Sequence, residues 1–341
     1  MKIAVIGAGS WGTAIAGMLG QKHDNVVLWA RNSALIEKMT MSRENAAYLP
    51  GVKLADTVNF TDDLCAAAAG AELVILVTPS HGLRETASRL ASILAKETII
   101  VTATKGLEIG TLKRMSEVVA EEIPFLANKI AALSGPNHAE EVGFKQPSAT
   151  VVASPWRKVA EIVQDAFISS YFRVYTNPDI VGVELGGALK NIIALGAGAC
   201  EGLGFGDNAK SALITRGLAE ITRLGMAMAA KPLTFAGLSG IGDLIVTCTS
   251  CHSRNHRAGL LLAEGKTVEE IQSATNMVVE GIRSTMAAYE LAKRYGVEMP
   301  ITQEIYRVLY ENADPKEAVS QLMSRGRTHE NEEVAIIDNW L

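Results

Sequence analysis

No surplus of positive charge, no long unbroken apolar run, no internal repeat and only four cysteines in 341 residues narrow the possibilities before any motif is read. Lys and Arg number 32 against 37 Asp and Glu, a formal net charge of −5. A nucleic-acid binder needs clustered cations to displace counterions from a phosphate backbone, so nucleic acid is not an expected partner. A few local cations still suffice for one small anion. The apolar stretch around 191–205 is broken by glycines and flanked by Lys190 and Glu201, so no membrane span is expected there. The chain opens MKIAVIGAG, a strand pattern running into a glycine turn, without the cationic start, apolar core and cleavage site of an export leader. A cytoplasmic protein is expected, with Cys65, Cys200, Cys248 and Cys251 as free thiols.

What is present is the composition of a globular protein, 48% apolar and 20% charged, with length enough for about two domains at roughly 150 residues each. The first half alternates short β-branched runs with helical windows. KIAVIG (2–7), NVVLWA (25–30), LVILVT (73–78), TIIVTA (98–103), IAALS (130–134), ATVVAS (149–154) and FRVY (172–175) read as strands, and 81–95 and 111–122 read as helices between them. This is the arithmetic of βαβ units, and the fold class expected is α/β: a Rossmann-type, doubly wound, mostly parallel sheet. After Asn177-Pro178 the strand signal stops. The remainder reads as helices, with Ser253, Thr267 and Asp314 where N-caps belong and MAAYELAKRY (286–295) carrying the i, i+3, i+4 spacing of a helix on a core. The expected division is 1–178 for a dinucleotide-binding domain and 179–341 for an all-α domain. CAAAAGAE (65–72) reads as a small-residue helix.

Gly7-Ala8-Gly9-Ser10-Trp11-Gly12 is G-x-G-x-x-G placed directly after a strand and opening a helix. Gly7 permits a tight turn, Gly9 lets the main chain approach a pyrophosphate, Gly12 lets helix and strand pack closely, and the helix start offers free N–H groups to phosphate. At the end of the second strand, where an NAD-preferring fold carries a carboxylate for the ribose hydroxyls, stands Arg31. A cation there suits a 2′-phosphate, so the cofactor expected is NADP or NAD, with NADPH preferred.

Two further loops follow strands and face the same crevice: Thr78-Pro79-Ser80, and Ala103-Thr104-Lys105-Gly106-Leu107, whose lysine can serve as a point charge for an anion near the nicotinamide. Ser134-Gly135-Pro136-Asn137-His138-Ala139 joins a strand to a helix, with Gly135 and Asn137 expected at the substrate and Ala139 at the cofactor. VTCTSCHSRNHRAG (246–259) is less transparent. Cys248-x-x-Cys251-His252 fits a haem-attachment pattern, and with His256 the set could pass for a zinc cluster, although a protein that is not exported makes haem attachment improbable.

GAGSWGTA, ATKGLE (103–108), LSGPNHAEE (133–141), ELGGALKNIIALGAG (184–198), GIGDLIVTCTS (240–250), SRNHRAG (253–259) and VVEGIRS (278–284), in this order, resemble the bacterial-type NAD(P)-dependent glycerol-3-phosphate dehydrogenase family. The resemblance implies interconversion of dihydroxyacetone phosphate and sn-glycerol 3-phosphate for glycerophospholipid synthesis, by a homodimer. It implies Lys190 as the catalytic lysine, Ser253, Arg254 and Asn255 at the substrate phosphate with Arg254 also at the cofactor, Val278 and Glu280 near the cofactor, and no metal. Ser253 is suited to cap a helix whose first turn presents Arg254 and Asn255 to one phosphate.

Hydride arrival at a ketone builds negative charge on its oxygen, which Lys190 would meet with a proton. An ordinary lysine near 10.4 holds its proton too tightly for work at neutral pH, and Lys105, Arg254 and partial burial are expected to lower it. Asp243 would orient the ammonium and oppose part of that shift, and Asn191 and Thr247 are expected to bond substrate oxygens. A β-hydroxyacid dehydrogenase also carries a catalytic lysine on a helical domain, but within K-x-x-x-N, and here position 194 is alanine and the asparagine is Asn191. A non-catalytic NADPH sensor has no use for Lys105, Lys190, Asp243 and Arg254 gathered together.

Overall fold

The computed structural model describes residues 1–274, 277–327 and 329–330, so that 275–276, 328 and 331–341 of the expected second domain lie outside the described residues. Strands β1 (Lys2–Ile6), β2 (Asn25–Trp29), β3 (Val58–Thr61), β4 (Leu73–Leu76), β5 (Ile99–Thr102), β6 (Ile130–Ser134), β7 (Ser148–Ala153) and β8 (Phe172–Asn177) form one sheet in the order β3-β2-β1-β4-β5-β6-β7-β8. Neighbours are parallel except β6 and β7, which run antiparallel. Strands buried on both faces need continuous apolar runs, and LVIL in β4 and IIVT in β5 are buried throughout. Strand β3 was not expected: VNFT is four residues long, half polar, and sits at the sheet edge, where burial leaves little pattern.

Helices α1 (Ser10–Leu19), α2 (Ser33–Ser42), α3 (Leu64–Ala68), α4 (Leu83–Ala91), α5 (Met115–Glu122), α6 (Ala139–Gly143) and α7 (Arg157–Phe167) connect the strands. Ile15 of α1 and Val163 of α7 pack in the core on one face, with Val5 and Ile75. Ala87 of α4 and Val118 of α5 pack on the other, with Ile6 and Leu76. β1 lies between β2 and β4, so successive crossovers leave it in opposite directions and open a crevice beyond the carboxyl ends of β1 and β4, the switch point where such sheets take ligands.

Past Asn177 no strand occurs among the described residues; the elements are α8 (Ile180–Gly202), α9 (Asp207–Ala227), α10 (Pro232–Phe235), α11 (Asp243–Thr249), α12 (Arg254–Ala263), α13 (Val268–Ser273), α14 (Glu280–Tyr295), α15 (Pro300–Tyr310) and α16 (Pro315–Met323). Ser253, Thr267 and Asp314 each accept a hydrogen bond from the first turn of the helix they precede. Helix α8 corrects the expectation for 191–205: its glycines do not break it, and at 23 residues it is long and apolar enough to cross a membrane, yet 94% of its most apolar window is buried inside the fold. Its glycines serve packing. A Cβ on Gly198 would stand 1.9 Å from the His256 carbonyl oxygen and one on Gly259 2.1 Å from that of Leu195, so α8 and α12 touch backbone to backbone. That contact sets Asn255 of the SRN segment against Asn191, the chain neighbour of Lys190.

Helix α8 also joins the two halves. Asp179 caps it through Gly182, Ile180 and Val183 pack against Ala132 and Val151 of the sheet, and Glu184 accepts from the Arg114 guanidinium at 2.5 Å and the Ser116 amide at 2.8 Å in a buried ion pair.

Candidate active site

The site assembles where the carboxyl ends of β1, β4, β5 and β6 meet α8, α11 and α12. On the cofactor side, Gly7 takes φ +123°, and a Cβ there would come within 2.9 Å of the Val77 carbonyl oxygen; one on Gly12 would lie 1.8 Å from the Gly7 oxygen. Both positions are closed to any side chain. At Gly9 the reverse holds, since a Cβ would meet nothing within 4 Å, and no side chain caps the start of α1. Open space above uncapped N–H groups is what a pyrophosphate requires, so the turn fits a dinucleotide. Trp11 is half-buried against the core, Ser10 Oγ reaches Met277 Sδ at 3.6 Å, and Arg31 is exposed just past β2.

The substrate side is organised by one buried carboxylate. Asp243, the first residue of α11, accepts from Lys190 Nζ at 2.6 Å through Oδ1 and from Lys105 Nζ at 2.8 Å through Oδ2. Lys190 is 5% exposed and also donates to Thr247 Oγ1 at 2.6 Å. Lys105 completes its shell with the Gly135 carbonyl at 3.0 Å and Asn137 Oδ1 at 2.9 Å, while Asn137 donates in turn to Thr150. Burial pushes the Lys190 ammonium down to about 8, with Asp243 opposing and Lys105 adding to the fall. Burial alone would raise the Asp243 carboxyl, but the two ammoniums outweigh it and hold it below its usual value. Two cations around one carboxylate leave net positive charge for an anionic, oxygen-rich molecule.

Two expectations about Lys190 are corrected. Arg254 is not among the groups that lower Lys190: it is the first residue of α12, and its Nη1 donates to the Val278 carbonyl at 3.0 Å. Lys190 is almost fully buried rather than partly. Asn191 and Thr247 have their polar groups engaged with protein, Thr247 with Lys190 and the Asp243 carbonyl, Asn191 with Asn255 Nδ2 at 2.8 Å. Asn255 Oδ1 accepts from Gly281 N at 2.9 Å, and its main-chain N–H lies in the first turn of α12, behind the Ser253 cap.

The cysteine–histidine stretch is divided by α11. Cys248 is in the helical core, where burial pushes its thiol up to about 12, and Cys251 is exposed in the next turn. His252 lies 6.1 Å, ring to ring, from His138, and His256 faces Glu201 at 3.3 Å. Among the described residues no three His, Cys, Asp or Glu side chains are grouped to hold a metal. Ala139 is buried at the start of α6. Glu280 was expected at the cofactor; its carboxylate is held by Ser80 of the loop after β4, through the amide at 3.1 Å and the hydroxyl at 2.8 Å. Sequence reasoning placed Ser80 in a loop facing the crevice but did not pair it with Glu280, because that partner is 200 residues away.

Residues 2–160 match the family model described as NAD-dependent glycerol-3-phosphate dehydrogenase N-terminus, and residues 179–320 the corresponding C-terminus. The chain is 56% identical to the NAD(P)+ glycerol-3-phosphate dehydrogenase of Desulfitobacterium hafniense, over 98% of this chain and 95% of that one, and 54% identical to that of Geobacillus kaustophilus, over 97% of each. The crystal structure of glycerol-3-phosphate dehydrogenase from Coxiella burnetii superposes with a TM-score of 0.91 at 39% identity, covering 95% of this chain and 99% of that one.

Proposed function

This chain belongs to the NAD-dependent glycerol-3-phosphate dehydrogenase family, an NAD(P)-dependent oxidoreductase, and from that premise we propose that Lys190 is its proton donor and acceptor. The substrate pair is dihydroxyacetone phosphate and sn-glycerol 3-phosphate. A nicotinamide cofactor bound on the 7–12 turn supplies or takes the hydride. The chain's own residues do the rest. The ammonium of Lys190 donates its proton to the substrate oxygen as charge develops there, and in the reverse direction the neutral amine accepts it. A value near 8 suits both directions close to neutral pH. Asp243 fixes the direction of the Lys190 N–H bonds, and Lys105 carries positive charge to the mouth of the cluster. The main-chain N–H groups at the start of α12, with the Arg254 guanidinium beside them, bind the phosphate.

The observation that carries this reading is the Lys190–Asp243–Lys105 arrangement, a buried ammonium kept ionisable by one shared carboxylate. The reading extends to preference for NADPH through Arg31, a division into domains at 178/179, a homodimer, a cytoplasmic location and supply of the glycerol phosphate of phospholipids. The test is nicotinamide absorbance with dihydroxyacetone phosphate. Wild-type protein should consume NADPH, and Lys190→Ala should lose about 10²–10⁴-fold in kcat. A wild type that consumes no NADPH would sink the reading in favour of a sensor.

A further inference from the structure

Glu280 is the first residue of α14, where an acidic side chain ordinarily faces water and the helix dipole. Instead both of its oxygens are taken by a single residue of the sheet half, the Ser80 amide on Oε1 and the Ser80 hydroxyl on Oε2. Ser80 is 2% exposed and Glu280 half-buried, so the contact is partly shielded from water, and hydrogen bonds to a charged group are the stronger kind. A third segment closes on the same point. A Cβ on Gly106 would stand 2.8 Å from Ser80 Cβ and 3.2 Å from Glu280 Oε2, and Gly106 directly follows Lys105. Three residues before Glu280, Met277 touches Ser10 at the glycine turn. The 277–280 segment is thus tied to the sheet half at two places, both at the crevice, one of them on the turn that fits a dinucleotide. The Lys190–Asp243–Lys105 cluster is bonded within itself and to Thr247, Gly135 and Asn137.

We propose that Ser80 is a positioning residue of the cofactor half of the site, holding Glu280 and the 277–280 segment in place against the bound dinucleotide. This rests on the reading of the crevice as a nicotinamide-cofactor site. With the Ser80 hydroxyl gone, Glu280 keeps one of its two donors and the segment loses half of its hold at β4, so the loss falls on cofactor affinity and not on proton transfer.

The test is the equilibrium dissociation constant for NADPH, read from its fluorescence, together with steady-state constants for dihydroxyacetone phosphate. Ser80→Ala should weaken NADPH binding about ten-fold, equivalent to about 1.4 kcal/mol, while kcat and the KM for dihydroxyacetone phosphate stay within about two-fold. Ser80→Thr, which keeps the hydroxyl, should bind NADPH within about three-fold of wild type. Should Ser80→Ala fail to fold, Ser80→Cys, nearly isosteric with a weak donor, should show the same rise in the dissociation constant. An unchanged NADPH constant in the alanine or cysteine variant overturns the inference alone. So does an equal rise in the constants for both ligands, which would make Ser80 a general tie between the halves. Wild-type protein that bound no NADPH would overturn the crevice reading and this inference with it.

Discussion

Replacing Asp243 by Asn removes the one negative charge shared by two ammoniums at 2.6 and 2.8 Å while keeping the shape of the side chain. An opposite charge at this range moves a pKa by about one to three units. Lys190 already sits at about 8 with that support, because burial works against its charged form. Without it, a drop of about two units takes the amine to roughly 6. At pH 7.5 the protonated fraction then falls from about three quarters to a few per cent by the same two-unit shift, so reduction of dihydroxyacetone phosphate should slow about 25-fold on ionisation alone. The sign is fixed by the role: reduction needs the ammonium, so its rate is full below the pKa and falls as pH rises through it. The assay is kcat/KM for NADPH-dependent reduction from pH 5.5 to 10. Wild type should lose activity through about 8, and Asp243→Asn through about 6. Oxidation of glycerol 3-phosphate, which needs the neutral amine, should rise through the same values. A variant that is slower at every pH but keeps its limb at about 8 would refute the assignment of that limb to Lys190.

Gly198→Ala places a methyl 1.9 Å from the His256 carbonyl oxygen; separating α8 from α12 should lower the melting temperature by several degrees and weaken substrate binding, because the SRN segment moves with α12. Arg114→Met leaves Glu184 buried without its cation, and chemical denaturation should give a loss of about 3–5 kcal/mol. Arg31→Asp should raise the KM for NADPH well above any change for NADH, and equal changes would remove Arg31 from the cofactor site.

The glycine turn was legible from sequence because its demands are local. Gly7 must take a positive φ and Gly12 must admit a backbone oxygen, and both follow from the strand before and the helix after. The helix caps at Ser253, Thr267 and Asp314 were legible for the same reason. Lys190 was named through its motif, and its partner Asp243 with it, but the degree of burial depended on helices from distant parts of the chain, α9, α11, α12 and α14 among them, closing around α8. What stayed hidden was decided by direction and distance. Arg254 donates to the Val278 carbonyl, Asn191 and Asn255 bond each other where α8 and α12 pack, and Ser80 meets Glu280 from 200 residues away. No periodicity encodes these pairings. The span of α8 was misjudged because glycine reads locally as a helix breaker, whereas here tight packing against α12 rewards it.

The central claim is that one ammonium, that of Lys190, delivers the proton, and the most direct test is chemical rescue. In Lys190→Ala, the rate of NADPH consumption at saturating dihydroxyacetone phosphate should be down by about 10²–10⁴-fold and should rise with added methylammonium or ethylammonium, tracking the protonated form of the added amine. A variant that retained activity within ten-fold of wild type, or that showed no response to either amine, would contradict it.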